Sequence, residues 1–171
     1  MRSPKLILCV SPSSRQYLSF GSFWTGLWQI ELNPKTGKVL DGAEPVHLSQ
    51  RDISVEGAVE APSVFKKGNA WFLVESWDKC CSGTKSTYNT RVVRSTSGVN
   101  GPYYDKDGVP ALQGGGTLLL ASEGAIIGPG GGSVYKDTDG SYYLYHHWYS
   151  DTTSSLGIRK LDFSSGWPVV M

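Results

Sequence analysis

The chain has 171 residues with 16 basic and 15 acidic side chains, a formal net charge of +1. With no block of like charge, neither a nucleic acid nor an anionic membrane is expected as a partner. One globular domain fits this length, and no stretch approaches the roughly 18 apolar residues of a membrane span.

The composition favours short strands joined by turns over helices, with 21 Gly, 9 Pro, 9 Tyr and 6 Trp. Such aromatics suit either blade cores or the stacking of sugar rings. In chain order, "MRSPKLILCVSPSSRQ" has a basic start but only Leu6 to Val10 as an apolar run. That run is shorter than the roughly 7–15 apolar residues of a secretory leader. An aromatic strand pair follows in "RQYLSFGSFWTGLWQIELNPKTGKV", with Asn33 to Gly37 as a turn signal. The second pair is "KKGNAWFLVESW" with "YNTRVVRSTS", and the third is "DTDGSYYLYHHWYS" with "LGIRKLDFSSGWPVV". Between the last two lies a turn-rich stretch from Gly98 to Gly116. Three such units read as about three four-stranded blades of a propeller, fewer than the roughly four to eight of a closed ring.

Cys9, Cys80 and Cys81 give an odd cysteine count. The adjacent pair can close a vicinal ring, one member can pair elsewhere, or both can be plain thiols. No Cys-x-x-Cys or His-x-x-His spacing argues for zinc. In "VEGAVEAPSV", Glu56 and Glu60 interrupt a small apolar run.

The ordered motifs "YLSFGSFWTGLWQIELNPKTGK", "VEAPSVFKKGNAWFLVESWDKCCSGTKSTYN", "RSTSGVNGPYYDKDG", "GGGTLLL" and "IIGPGGGSVYKDTDGSYYLYHHWY" resemble the endo-1,5-α-L-arabinanases of glycoside hydrolase family 43. The likeness runs over about residues 16–168. It implies an all-β fold, part of a five-bladed β-propeller, with residues 16–171 as an incomplete domain of about three blades. Residues 1–15 are then expected to stand apart from the fold.

The resemblance also implies hydrolysis of internal α-1,5-linked arabinan with inversion, which needs a carboxylic acid and a carboxylate base about 6.5–9.5 Å apart. Glu60, in the Glu-Ala-Pro motif, matches the general acid. An apolar surround from Ala58, Val59, Ala61 and Pro62 would suit a proton donor, and Pro62 is expected to end the strand's ladder. Ser22, Phe23 and Trp24 match a sugar-subsite wall, with blade core as the other reading of the two rings. Trp77 and Asn89 are expected to contact sugar as well, and Glu56 to be structural or at the rim. The run Trp77 to Cys81 fits relatives acting on linear arabinan.

Two features depart from the pattern. No Asp or Glu precedes Glu31, so the family's general base and its pKa-tuning Asp have no counterpart. Gly131 stands where the family has a calcium-holding His. No metal site and no required cofactor are therefore expected, calcium being a family possibility, and His146 and His147 read as strand residues. An N-terminally truncated arabinanase of doubtful activity is the leading reading. A non-catalytic arabino-oligosaccharide-binding remnant or a truncated gene product is the alternative. A polysaccharide partner and an extracellular location follow by resemblance.

Overall fold

The computed structural model describes residues 7–10, 15–151 and 153–171. Twelve strands form three sheets of four. The first holds β1 (Ile7–Val10), β2 (Gln16–Phe20), β3 (Leu27–Leu32) and β4 (Val46–Ser49). The second holds β5 (Val59–Lys67), β6 (Ala70–Trp77), β7 (Asn89–Ser95) and β8 (Thr117–Leu120). The third holds β9 (Ile127–Lys136), β10 (Tyr142–Tyr149), β11 (Ser154–Asp162) and β12 (Val169–Val170). Every pairing is antiparallel between strands adjacent in sequence, the meander of a propeller blade. The only helical turns among the described residues are three short 3-10 turns.

The expected strand pairs are all present as β2–β3, β6–β7 and β10–β11. Asn33 closes its predicted turn through Oδ1, which accepts from Lys35 N at 2.9 Å, with Gly37 at φ +68°. One boundary differs. Ile7–Val10 pairs in register with Gln16–Phe20, so these four residues belong to the first sheet rather than standing apart. Four consecutive apolar residues supply a strand the turn-based reading passed over. The remaining residues of that N-terminal stretch up to Ser14 lie outside the described residues.

Strand alternation sends the two faces of the middle blade to different neighbours. Val59, Val64, Trp71, Leu73, Trp77 and Val93 pack on Tyr17, Leu27 and Leu48 of the first blade. Phe72, Val74 and Val92 pack on Tyr142, Leu144, Leu161 and Trp167 of the third. Each large apolar side chain buried in this way stabilises the fold by about 1.5–3 kcal/mol. The far face of the third blade carries exposed Tyr135, Leu156 and Ile158, which no described strand covers. The middle blade is thus fully sandwiched, and its first strand lies between β1 and β9.

Candidate active site

Glu60 sits near the start of β5, only 3% exposed. A 3-10 turn, Ile53–Val55, leads into the strand and is capped by Asp52, whose Oδ1 accepts from Ser54 N at 2.7 Å. Glu56 and Gly57 follow in the left-handed region. Glycine is required at 57, because a Cβ there would meet the backbone of Trp24 at 2.8 Å. That close approach seats the Ser22-Phe23-Trp24 loop against the head of β5. Phe23 N donates to Val59 O at 2.8 Å, and Ser22 and Glu60 form an isolated bridge.

The ladder does not end at Pro62. It continues to Lys67 through a β-bulge, in which Glu60 pairs with Ser76 and the next partners are Ser63 and Val74. Ala61 takes φ +55° within this bulge. Proline fits there because a bulged residue leaves the ladder without a missing donor, and bulges re-aim neighbouring side chains.

The Glu60 carboxyl is held at both oxygens. Ser22 Oγ donates to Oε2 at 2.7 Å and Tyr88 Oη donates to Oε1 at 2.7 Å. Ala58, Val59 and Ala61 around it are buried as expected, but these two hydroxyls complete the surround. Tyr88 is fully buried, its ring stacked 5.6 Å from His147. Burial first, and then the Glu60 carboxylate, holds its hydroxyl above the ordinary tyrosine range, so it stays an O–H donor. A Cβ on Gly130 would lie 2.0 Å from Tyr88 Cδ1, so that glycine makes room for the ring.

The predicted wall divides in two. Phe23 is buried at 5% exposure, whereas Trp24 is 68% exposed beside it, ring centroids 6.1 Å apart. Phe23 is core, and Trp24 offers an open ring. Both hold positive φ, at 60° and 43°, a conformation that costs about 1–3 kcal/mol per residue and is held by the surrounding structure.

Trp77 and Asn89 are not brought to this face. Trp77 pairs with Val59 and with Asn89, one position along from the Glu60–Ser76 pair, so both project to the opposite side of the sheet. Two guanidinium groups lie over the Trp77 ring, Arg51 at 4.2 Å and Arg91 at 4.7 Å, and its Nε1 donates to Glu75 Oε1 at 2.7 Å. Asn89 Nδ2 donates to Asp78 Oδ2 at 2.8 Å and its Oδ1 accepts from Arg91 Nε at 2.8 Å. Arg51 Nη1 completes the network on Asp78 Oδ1 at 2.6 Å. Cation–π pairing and these hydrogen bonds occupy the groups expected to meet sugar. Glu56 is a rim residue, in an exposed ion pair with Lys79 at 2.7 Å.

Cys80 and Cys81 close a vicinal disulfide, and Cys81 N donates to Tyr149 Oη at 3.1 Å. Gly131, at the family's histidine position, offers only backbone, and its N–H donates to Ser76 Oγ at 2.9 Å. Among the described residues no three His, Cys, Asp or Glu side chains converge on one point. Gly131 has no side chain with which to hold a calcium ion. His146 is buried on β10, its Nδ1 3.2 Å from His147 O.

Tyr88, Ser76 and His147 carry no role in the sequence reading. The glycine run 130–132 was the available signal, since consecutive glycines in a strand mark a close approach by a neighbouring group.

The profile of glycosyl hydrolases family 43 matches residues 8–168. A probable arabinan endo-1,5-alpha-L-arabinosidase A of Aspergillus terreus is 38% identical over 166 residues, covering 90% of this chain and 48% of the relative. An exo-1,5-alpha-L-arabinanase from a bovine ruminal metagenomic library superposes with TM-score 0.87 at 34% identity, over 98% of this chain and 55% of that one. The Cellvibrio cellulosa alpha-L-arabinanase complexed with arabinohexaose gives TM-score 0.85 at 33% identity, over 98% and 56%. The chain spans about half the length of the relatives it matches. Three blades in the arrangement of these structures, with the profile running across all three, place the chain in glycosyl hydrolases family 43.

Proposed function

We propose that this chain carries the proton-donating side of an inverting arabinan-hydrolase site, with Glu60 as general acid. The observation that carries the reading is the buried Glu60 carboxyl, held between Ser22 and Tyr88 at the head of the inner strand of a family 43 blade. An inverting glycosidase needs such an acid to protonate the departing glycosidic oxygen while a carboxylate on the opposite face activates water. The names of the relatives support an α-1,5-linked arabinan, and the arabinohexaose complex supports an oligosaccharide as ligand. Trp24 presents the exposed ring against which a furanose would stack. An extracellular location fits a polymeric cell-wall substrate.

The sequence has no Asp or Glu before Glu31 to serve as base or pKa-tuning residue. General acid–base assistance is worth about 10²–10⁴-fold per group, so the 171 residues alone are expected to hydrolyse weakly or not at all while still binding arabino-oligosaccharide. The test compares this chain and Glu60→Gln on linear arabinan, with arabinohexaose binding measured by calorimetry. Residual hydrolysis abolished in Glu60→Gln supports the acid role. Hydrolysis equal in both proteins ends it. Binding with no product in either favours a non-catalytic sugar-binding module.

A further inference from the structure

We propose that Glu56 and Lys79 join Trp24 in one furanose-binding subsite at the head of β5, where the carboxylate and the ammonium hold the hydroxyls of a sugar stacked on the indole. This rests on the reading of an arabino-oligosaccharide as ligand and adds two residues to it.

Three segments lie side by side there. Ser22 bridges to Glu60, and Glu60 pairs with Ser76. One step away, Phe23 N donates to Val59 O at 2.8 Å and Val59 pairs with Trp77. Next, Asp78 N donates to Ala58 O at 3.0 Å. At the far end Trp24 N donates to Glu56 O at 3.3 Å, and Lys79 Nζ lies 2.7 Å from Glu56 Oε1. Glu56 precedes Glu60 by four residues, so their Cα atoms are at most about 14 Å apart, a span that a hexasaccharide crosses. The backbone of Lys79 is fixed at both groups, its N–H donating to Thr87 Oγ1 at 3.2 Å and its carbonyl accepting from Thr87 N at 3.0 Å.

Stability does not account for this corner. Both side chains of the ion pair are more than half exposed, and exposed pairs contribute little to folding. Trp24, Glu56 and Asp78 all hold the left-handed region without being glycine, at φ 43°, 59° and 68°. Such costly conformations gather at ligand clamps.

The chemistry matches the sugar. In an α-1,5-linked arabinofuranose, C1 and O5 are taken by linkages and O4 by the ring, which leaves the O2 and O3 hydroxyls. A carboxylate only accepts and an ammonium only donates, whereas a hydroxyl does both. One hydroxyl therefore donates to Glu56 while its neighbour accepts from Lys79, both as charge-assisted bonds. The apolar face of the ring is left for Trp24, the exposed indole beside them.

The test is calorimetry of arabinohexaose binding to the 171-residue chain, with a thermal melt of each variant. Glu56→Ala and Lys79→Met should each weaken binding about three- to tenfold and leave the melt unchanged. Lys79→Arg, which keeps a cationic donor, should retain most of the affinity. Wild-type affinity in both Glu56→Ala and Lys79→Met, or no arabinohexaose binding by the wild type, overturns the proposal. Should Glu56→Ala melt early, Lys79→Met and Lys79→Arg decide alone. A loss confined to Trp24→Ala would remove the clamp and keep the stacking ring. The acid role of Glu60 stands or falls separately, on arabinan hydrolysis.

Discussion

Glu75 on β6 makes the stability of this fold fall with rising pH, and Glu75→Gln should remove that dependence. Its carboxyl is completely buried between the first two blades, and burial, the largest influence, pushes its pKa from 4.5 up to about 7. The hydrogen bond from Trp77 and the attraction of Arg51 and Arg91 pull the other way but do not offset the burial. The folded protein therefore keeps a proton that the unfolded chain releases near 4.5. Between about pH 4.5 and 7 the native state binds more protons than the unfolded one, and stability declines as pH rises through that window. Above it the loss is complete and constant. At about 1.4 kcal/mol per pH unit, the full loss comes to about 3 kcal/mol, a large share of the 5–15 kcal/mol typical of a folded domain.

Glutamine keeps the shape and an acceptor for Trp77 Nε1, but does not ionise. The assay is urea denaturation followed by tryptophan fluorescence, at four pH values from 4.5 to 8, on the wild type and Glu75→Gln. Taking the difference between the two proteins cancels every group distant from Glu75. At pH 4.5 the two should be nearly equal. By pH 8 the variant should lead by about 3 kcal/mol. A difference that stays flat with pH, or one that moves in favour of the wild type, would refute the argument that burial outweighs the two arginines.

Gly130→Ala places a methyl group 2.0 Å from the Tyr88 ring and should cost about 1–3 kcal/mol of stability; an unchanged thermal melt would contradict the packing described. Trp24→Ala should leave stability within about 0.5 kcal/mol, since the side chain is 68% exposed. It should also weaken arabinohexaose binding about three- to tenfold, and calorimetry showing no loss would remove Trp24 from the sugar site. Trp77→Ala should destabilise by about 3–5 kcal/mol, because it removes a buried core ring on which Arg51 and Arg91 rest. A stable Trp77→Ala protein with weakened sugar binding would restore the role expected from sequence.

What could be read in the sequence divides along physical lines. The strand pairs β2–β3, β6–β7 and β10–β11 were legible because each is a local hairpin, marked by aromatic runs and a turn such as Asn33 to Gly37. Ile7–Val10 was not, because an apolar run of four residues does not identify its own pairing. In the site, Glu60 was legible through the Glu-Ala-Pro motif that carries the family resemblance, a local stretch of the chain. Tyr88 was not, because its importance is a relation between strands distant in sequence: a hydroxyl from the chain before β7 meets β5 of the same blade, and its ring fits because β9 of the next blade has a glycine at 130. Trp77 shows the converse. An aromatic residue beside a motif residue is equally consistent with stacking sugar and with stacking guanidinium, and only the register decides. Trp77 pairs with Val59 and not with Glu60, and that single step along the strand places it on the other face, among Arg51, Glu75 and Arg91. The same one-residue step separates the two buried carboxylates of this blade. Glu60 points toward hydroxyl donors at the candidate site, while Glu75 points into an interface where burial holds its proton. Neighbouring strands thus give two glutamates different chemistry through alternation alone.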